Sequence, residues 1–453
     1  WVSHYPISNY LVSIAVGDYT RYNATSYVRP APLATLYGPL TMPLDHLVYN
    51  DGSNALPFGF TQTADMISVF EEWFGPYGFA SEKYGHSECT FGGGMEHQTM
   101  TSLGGSSISL VSHELCHQWY GDTITTRTWP HLWLNEGFAT YGALLYFQQR
   151  SNLYPGTYET NLGTTMNSAL NAVGTLVLED TTSVSNMFAS SRVYNKGAMV
   201  LYMLRWMVGD TVFKNIMQAY ASDPALRYGC AVTSDFKRVC EQVSGLDLDT
   251  FFAQWVETGT GYPMYTACSF WQPVIDGWRV RVTLHQIQDS SISNVNVFVM
   301  PVEIVVHTAS GDISHIALNN QRDQNIDFTV ASQPTSVEVD PGKHILRADP
   351  INMGPCSTTG AGPLPIRTDI VQVYPNPASH EFSVHYSLAT EGKVELGVYD
   401  VAGRRVMQKT IARAMPGEAS EHFDASALPA GVYFVRMRPA RGEAITRKIV
   451  LVR

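Results

Sequence analysis

Four residues in the first third of the chain could bind a metal ion and use it. Residues 113–117 read HELCH, and Glu136 follows after eighteen intervening residues. Residues four apart share one face of a helix, so His113 and His117 can present two imidazoles to one ion. Glu114 lies one step round that helix, where its carboxylate can reach a metal-bound water. Two histidines, a carboxylate from the next helix and an open fourth position form the arrangement of a catalytic zinc site.

The apolar residues around these histidines predict a buried helix. Leu115 and Trp119 lie beside them, and burying a His-Glu-His cluster without a metal would be costly. The alternative is a surface helix with two exposed histidines. Glu136 opens a second apolar helix, predicted over residues 132–149, which favours the metal site. We therefore expect one zinc ion, held by His113, His117 and Glu136.

Further stretches resemble the aminopeptidase N-like zinc metallopeptidases, or gluzincins. Residues 93–97 read GGMEH and are similar to the family's Gly-x-Met-Glu-Asn exopeptidase motif. Residues 194–198 read YNKGA and are similar to the Tyr-x-Lys-Gly-Ala element that carries the catalytic tyrosine. Residues 7–18 resemble the end of the family's N-terminal β-domain. The resemblance extends to about residue 350 and implies a thermolysin-like, mainly helical α+β catalytic domain.

The chemistry expected of these residues is hydrolysis of peptide bonds. Zinc would lower the pKa of a bound water to roughly 7 and polarise the scissile carbonyl. Glu114 would accept the proton of that water, and the resemblance makes Tyr194 the phenol that stabilises the oxyanion. The expected substrate-binding residues are Gly93, Gly94, Met95 and Glu96. Glu96 would hold the α-ammonium of the peptide, so that only the first peptide bond reaches the metal.

The sequence departs from the family pattern in two places. His97 stands where the family has Asn, and the chain begins at Trp1, inside the expected N-terminal domain. We therefore expect a fragment or processed form of a longer precursor.

Two questions stay open from the sequence. Asp122 either orients a ligating histidine or simply ends the helix. The alternative functions are an endopeptidase or an epoxide hydrolase on the same zinc site, or a surface binding protein with a vestigial site.

Composition and charge limit the classes of partner. Hydrophobic residues make up 45% of the chain and charged residues 15%, which is typical of globular proteins. The net charge of -11 argues against a nucleic-acid partner. The most apolar stretch, residues 198–208, is short and contains Arg205, so no transmembrane segment is expected. The expected substrates are the N-termini of peptides or proteins.

Six cysteines are present, and none forms a CxxC pair. A structural zinc site of that kind is therefore not expected. Cys230 and Cys240 flank a short segment and could form a disulfide if the protein is exported. Cys116 lies off the predicted ligand face of the zinc helix, so we interpret it as a packing residue.

The motifs, the family resemblance and the composition together divide the chain into five segments. Residues 1–17 are predicted to be the last strand of a truncated N-terminal β-domain, and 18–265 the zinc peptidase domain, with a loop-rich beginning. Alternating apolar residues over 266–352 predict a small β-sandwich. Residues 353–368 are rich in Gly, Pro, Ser and Thr and are predicted to be a linker. Residues 369–453 alternate again, which predicts a second small β-sandwich.

The last segment resembles a C-terminal sorting domain of the type nine secretion system of Bacteroidetes-type bacteria. The resemblance is carried by VYPNP at residues 373–377, ELGVYD at 395–400 and LPAGVYF at 428–434. It implies export by that machinery and a protein that is secreted or attached to the outer surface of a Gram-negative cell. The alternative is an ordinary immunoglobulin-like accessory domain.

Overall fold

The computed structural model describes residues 3–50, 52, 55–274, 277–356 and 368–452. The chain divides into two units, residues 1–354 and residues 355–453. Residues 357–367, most of the predicted linker, lie outside the described residues. Among the described residues, no helix combines the length and apolar character that crossing a bilayer requires.

The first unit opens with a six-stranded sheet. Its order is β1-β3-β4-β6-β5, with β2 beside β3. The strands are β1 (Tyr19–Tyr22), β2 (Ser26–Val28), β3 (Thr41–Tyr49), β4 (Tyr84–Glu88), β5 (Gly94–Met95) and β6 (Thr101–Leu103). The helices between them are α1 (Ala31–Tyr37), α2 (Phe58–Thr61) and α3 (Thr63–Phe74). β4 pairs in parallel with β3 and with β6, so both pairings join segments distant in sequence. The loop-rich start expected here is therefore wrong.

The strand predicted over residues 1–17 is not formed in the part of it that the structure describes. Residues 3–18 contain only a 3-10 turn, Asn9–Leu11. Ile14 and Val16, which would share one face of that strand, are each 88% exposed. A strand needs a partner for its backbone N–H and C=O groups, and none of the described strands pairs with this stretch.

Helices form most of the following part of the first unit. They are α4 (Ile108–Cys116), α5 (Trp133–Gln149), α6 (Thr157–Ala169), α7 (Val184–Met187), α8 (Gly197–Val208), α9 (Asp210–Ser222), α10 (Thr233–Ser244) and α11 (Asp249–Phe252). A 3-10 turn, Trp129–His131, precedes α5, and a π-helical segment, Ser190–Lys196, runs directly into α8. Two short strands, β7 (Ile124–Thr126) and β8 (Gly229–Ala231), pair in parallel.

Glycines allow α5, which carries Glu136, to lie unusually close to α4 and α8. A Cβ on Gly137 would lie 2.8 Å from the Cα of Gly197 at the start of α8. A Cβ on Gly142 would collide with the Sγ of Cys116 at the end of α4. Only glycine leaves room for backbones this close. The three helices therefore converge where the candidate site lies.

Seven strands in two sheets complete the first unit. They are β9 (Tyr265–Val274), β10 (Gly277–Gln286), β11 (Met300–Thr308), β12 (Gly311–Asn319), β13 (Asp323–Val330), β14 (Pro334–Val339) and β15 (Asn352–Pro355). The sheet orders are β13-β10-β9-β15 and β12-β11-β14. Val280, Val282 and Leu284 are fully buried on one face of β10, as their alternation predicts.

The second unit is built from seven antiparallel strands in two further sheets. They are β16 (Asp369–Tyr374), β17 (Glu381–Leu388), β18 (Gly392–Asp400), β19 (Arg405–Ala414), β20 (Gly417–Asp424), β21 (Gly431–Pro439) and β22 (Ile445–Leu451). The sheet orders are β16-β17-β20 and β19-β18-β21-β22. Alternate residues such as Val394, Leu396 and Val398 form a hydrophobic core within this unit.

The disulfide considered between Cys230 and Cys240 is wrong. Both residues are free thiols. Cys230 is exposed on β8, whereas Cys240 is buried in the core on the inner face of α10. The two thiols therefore face different surroundings despite their short separation. The disulfide-bonded cysteines are Cys268 and Cys356.

A buried ion pair ties α3 to the loop after β2. Glu71 of α3 is fully buried and accepts two hydrogen bonds from Arg29, at 2.6 and 2.7 Å. Its carboxylate also accepts from the Tyr27 hydroxyl, at 2.8 Å, and from the Tyr77 backbone N–H, at 3.0 Å. Every polar partner of this carboxylate is therefore within the fold.

Replacing Glu71 by Ala is expected to destabilise the first unit by about 3–5 kcal/mol, because Arg29 would stay buried without its counter-ion. Glu72→Ala is the matched control. The Glu72 side chain is 53% exposed and pairs with Lys214, and such pairs contribute about 0–1 kcal/mol. Urea unfolding followed by tryptophan fluorescence measures both, because all nine tryptophans precede residue 279. Equal midpoints for the two variants would contradict the prediction.

Candidate metal centre

α4 brings the two predicted histidine ligands together. The Ser107 hydroxyl caps the helix by accepting a hydrogen bond from the Leu110 N–H. One turn apart on the inner face, His113 and His117 place their Nε2 atoms 3.2 Å from each other. Each Nε2 lies 3.4 Å from the Oε2 of Glu136 on α5. Three ligand atoms at nearly equal separations thus form a triangle.

This triangle has the dimensions of a zinc site. Zinc bonds of 2.0–2.1 Å in tetrahedral geometry put neighbouring ligand atoms about 3.3–3.4 Å apart. His113, His117 and Glu136 match that spacing, and two imidazoles with one carboxylate suit zinc. Glu96, Glu114 and His117 also bring ligand atoms within 4.8 Å of one another. We favour the first set because two of its three donors are nitrogen and its three separations match.

A backbone carbonyl orients His117. Its Nδ1 lies 3.1 Å from the carbonyl oxygen of Tyr120, so Nδ1–H donates there and Nε2 keeps its lone pair for a metal. Asp122 does not bond to a histidine. It accepts a 2.6 Å hydrogen bond from the Gln118 side chain, and burial followed by the nearby Glu96 charge raises its pKa well above the usual range. Asp122 therefore holds Gln118.

Gln118 was not singled out from the sequence. Besides Asp122, its amide donates to the Glu96 carbonyl, at 3.2 Å, and accepts from the Thr99 N–H, at 2.9 Å. It thereby ties the backbone around Glu96 to the end of the histidine helix. A fully buried glutamine beside His117 is polar where the pattern is otherwise apolar, and that contrast was the available signal.

Glu114 lies against the glycine-rich stretch. It is buried, and burial raises its pKa to about 8; the positive charge of a bound metal ion would act in the opposite direction. A Cβ on Gly94 would lie 2.5 Å from Glu114 Oε1. Gly93 has φ +85°, a conformation that favours glycine. The two glycines therefore serve different needs, space at Gly94 and backbone conformation at Gly93.

Glu96 receives a contact from an unexpected part of the chain. The Tyr10 hydroxyl lies 3.4 Å from Glu96 Oε1 and 3.3 Å from the Gly121 carbonyl. The Asn135 side chain donates to the same hydroxyl, at 3.3 Å. Tyr10 belongs to the predicted N-terminal strand, and neither Tyr10 nor Asn135 was predicted at the site. Neither the residue types nor the local spacing of Tyr10 and Asn135 indicates that they belong to the site.

Tyr194 lies beside the metal ligands. It is part of the π-helical segment before α8, a rare geometry that is frequent at functional sites. Its ring stacks on His113, with ring centroids 6.0 Å apart and planes 15° from parallel. Burial and the neighbouring Glu136 carboxylate raise the pKa of its phenol. Tyr194 therefore stays protonated and can donate a hydrogen bond.

Two other histidines near the motifs lie away from the ligand triangle. His97 Nδ1 lies 2.9 Å from the Ser102 hydroxyl of β6, and its side chain lines a different cavity. His131 Nδ1 lies 2.9 Å from the Thr233 hydroxyl. Neither belongs to the described clusters that could hold a metal.

All nine predicted site residues line one cleft of about 610 Å³. Its described lining contains three carboxylates and neither Lys nor Arg. The lining residues are Gly92, Gly93, Gly94, Met95, Glu96, Ser107, Ser109, Leu110, His113, Glu114, His117, Glu136, Phe188 and Tyr194. Uncompensated carboxylates in a buried site favour cationic ligands.

Two parts of the chain match models of known protein families. Residues 95–255 match the model of the peptidase family M1 domain, and residues 372–452 match that of the secretion system C-terminal sorting domain. The expected resemblance to aminopeptidase N-like metallopeptidases and to a sorting domain is confirmed, and the fold is multidomain, mixing helices with several sheets.

Two curated relatives and one solved structure show how far the likeness extends. Probable aminopeptidase 1 of Sulfurisphaera tokodaii is 32% identical over 200 residues, covering 42% of this chain and 24% of that protein. Tricorn protease-interacting factor F2 of Thermoplasma volcanium is 27% identical over 322 residues, covering 68% and 39%. Aminopeptidase A of Legionella pneumophila superposes with a TM-score of 0.58 at 16% identity, covering 75% and 38%, which shows a shared fold. The chain thus spans well under half of each relative.

Replacing Glu136 by Ala is expected to weaken zinc binding more than about 100-fold, since losing even an outer partner of a ligand costs 10–100-fold. Glu114→Gln is expected to retain one zinc per chain, because Glu114 lies outside the favoured ligand set. Metal analysis after equilibrium dialysis measures both. Zinc lost from Glu114→Gln but kept by Glu136→Ala would contradict this set and favour the one containing Glu96 and Glu114.

Proposed function

We propose that this chain is a zinc-dependent aminopeptidase, a hydrolase that removes N-terminal residues from peptides. The observation that carries the proposal is the position of Glu96. Its buried carboxylate lies in the same cleft as the ligand triangle, with ligand atoms of Glu96 and His117 within 4.8 Å. A carboxylate held at that distance can bind an α-ammonium only when the first peptide bond lies over the metal ligands.

His113, His117 and Glu136 would hold the zinc ion. When bound, the ion supplies a Lewis acid for the scissile carbonyl and acidifies a water at neutral pH. Glu114 is the general base. It lies beside the triangle without belonging to it, so it takes the proton of the attacking water and delivers it to the leaving amine.

Tyr194 stabilises the charge that develops on the carbonyl oxygen. Its phenol remains protonated and is stacked on a ligating histidine, which fixes the donor beside the reacting carbonyl. A donor aimed at developing charge is more effective when its position is fixed in advance, because no reorganisation is needed during the reaction.

The glycine-rich stretch binds the substrate backbone. Gly93, Gly94 and Met95 line the cleft directly before Glu96. Since Gly94 has no side chain, the glycine-rich backbone lies directly against the Glu114 carboxylate. The Tyr10 hydroxyl contacts the Glu96 carboxylate, and the Gln118 side chain donates a hydrogen bond to the Glu96 carbonyl. Both contacts fix the position of Glu96.

The proposal extends to the arrangement of the whole chain. Residues 18–265 would be the thermolysin-like peptidase domain, preceded over 1–17 by the end of an N-terminal domain that forms no strand in its described residues. Two small β-sandwiches, 266–352 and 369–453, would follow, joined by the linker 353–368. The second would direct the protein through the export machinery, so that it is secreted or attached to the outer surface of a Gram-negative cell. Peptide or protein N-termini would be its substrates.

A panel of short peptides with free or acetylated N-termini tests the proposal. The zinc-loaded full chain is expected to remove residues stepwise from free peptides alone, as mass spectrometry of the products would show, and a chelator should abolish the reaction. Glu96→Ala should lower kcat/KM for free peptides by about 100-fold, the size of effect seen when a buried charge pair is lost. Glu72→Ala, an exposed position that does not line the cleft, is the control.

Other products would identify the rival functions. Cleavage of acetylated peptides as fast as free ones would make the protein an endopeptidase. Opening of an epoxide substrate without peptide cleavage would make it an epoxide hydrolase. No turnover in zinc-loaded protein would leave a binding protein with a vestigial site.

Tyr194→Phe is expected to lower kcat by about 10²–10³ with little change in KM, because the phenol acts on charge that develops only in the transition state. Steady-state kinetics on a free peptide measures the split. Zinc content should stay at one per chain in this variant. A rise in KM with unchanged kcat would mean that Tyr194 binds substrate rather than stabilising the transition state.

A further inference from the structure

A second cavity, of about 680 Å³, begins where the lining of the cleft ends. Residues 93–96 line the cleft, and the next four residues, 97–100, line the second cavity. Its volume falls within the range of roughly 300–1,000 Å³ that is usual for small-molecule sites. None of the nine site residues of the proposed peptidase lines it, so the proposed reaction leaves this cavity unused.

One wall of this second cavity is the face of the six-stranded sheet that points away from the core. Asp45 and Leu47 of β3 and Ser87 of β4 line the cavity. His46, between the first two, is buried and stacks on Phe60 in the core. Successive side chains of a strand point to opposite faces, so the sheet separates the core from this cavity.

The opposite wall is formed by the first described part of the chain, within residues 3–15. Leu11 and Val12 give it an apolar surface. The segment is held close to the start of β4, because the His4 N–H donates a hydrogen bond to the Glu82 carboxylate. A wall that is already held in place costs little ordering entropy when a ligand packs against it.

Two buried polar side chains that line the second cavity have no hydrogen-bond partner within the described residues. They are Gln98, 6% exposed, whose amide nitrogen and oxygen are both unpaired, and Ser87, 2% exposed, whose hydroxyl is unpaired. Gln118, which is also buried, instead bonds at both ends of its amide. Leaving such groups unpaired costs free energy, so Gln98 and Ser87 indicate a ligand that supplies the missing hydrogen bonds.

The amide of Gln98 determines which group it can bind. It offers an N–H donor and a carbonyl acceptor side by side, and a peptide group offers the complementary acceptor and donor. Apolar side chains of Leu11, Leu47 and Met100 line the same cavity. An aliphatic side chain next to the peptide group of a ligand would bury its surface against them.

The charged residues of the lining favour an anionic end on that ligand. Asp45 accepts hydrogen bonds from Arg21, at 2.8 and 2.9 Å, and from Lys83, at 3.3 Å, and all three line the cavity. Two cations share one carboxylate, so the lining keeps a net positive charge, and the nearby Glu82 does not line the cavity. The cleft has three carboxylates and neither Lys nor Arg in its described lining. The two cavities therefore suit ligand groups of opposite charge.

We propose that this cavity is a second ligand site, which binds an N-acylated amino acid or short peptide by its free carboxylate and its last peptide group. Gln98 pairs with the peptide group, Lys83 and Arg21 bind the carboxylate, and Leu47 contacts the aliphatic side chain. The site thus holds the carboxyl end of a molecule, whereas Glu96 is proposed to hold an amine. It does not rest on the aminopeptidase function, and a protein without turnover would keep it.

Isothermal titration calorimetry with N-acetyl-L-leucine tests the site in the zinc-loaded full chain. The acetyl group removes the amine that Glu96 would bind. We expect one molecule per chain with a Kd of about 1 mM or tighter, which a ligand of this size can reach. N-acetyl-L-leucinamide, without the carboxylate, and isocaproate, without the peptide group, should each bind at least about 10-fold more weakly.

Gln98→Leu should weaken the binding of N-acetyl-L-leucine at least about 10-fold without lowering Tm, because the amide that it removes has no partner among the described residues. Ser87→Ala, a smaller change, should weaken binding in the same direction. Lys83→Met should weaken it and also remove the preference for the acid over its amide. Gln242→Leu is the matched control and should leave the affinity unchanged, since Gln242 is exposed on α10 and lines neither cavity.

Three results would overturn the proposal. They are no saturable binding to the wild type, equal affinities for the acid and its amide, and unchanged affinity in both Gln98→Leu and Lys83→Met. Glu136→Ala, which is expected to lose zinc, should retain binding; loss of binding there would place the ligand on the metal and would also overturn the site. None of these measurements involves cleavage, so failure of this site and failure of the aminopeptidase proposal are distinguishable.

Discussion

The close contact of α5 with α4 and α8 is the constraint on which the site depends. α4 supplies two imidazoles, α5 one carboxylate, and the segment before α8 the Tyr194 phenol. Metal–ligand distances tolerate about 0.2 Å, whereas a Cβ at Gly137 would force α5 and α8 apart to relieve a 2.8 Å approach. Gly137 lies directly after Glu136, and Gly142 lies against the helix of the histidines. The geometry of the site therefore depends on the glycines of α5 as much as on the ligand residues themselves.

Electrostatics explains why this site favours cationic ligands. Glu96, Glu114 and Glu136 are all buried, and Asp122 lies behind them. Carboxylates gathered out of water repel one another and lose hydration. Gln118 and Tyr10 supply neutral donors, which offset only part of that cost. A divalent ion, together with the ammonium proposed to bind at Glu96, would bring the missing positive charge, so binding would also stabilise the folded chain.

Local sequence patterns predicted the helices of the site. The residues and strands that depend on contacts between distant parts of the chain were not predicted. The four-residue spacing of His113 and His117, and the apolar run after Glu136, are properties of single helices. Tyr10 could not be predicted at the site, because it reaches Glu96 across 86 positions and Asn135 across 125. The six-stranded sheet was missed for the same reason, since its strands other than β3 are short and two pairings are parallel. The predicted N-terminal strand has suitable alternation, but alternation alone supplies no partner strand.

Residues 93–97 face two different cavities, which explains the departure at His97. Gly93, Gly94 and Glu96 line the cleft, whereas His97 bonds to Ser102 of β6 and lines another cavity. The Glu96 backbone is held independently, by Gln118. A histidine where the related family has asparagine therefore bears on the packing of β6 rather than on the carboxylate. The amine-binding role assigned to Glu96 depends on the contacts of Glu96 itself and does not require the last residue of the motif.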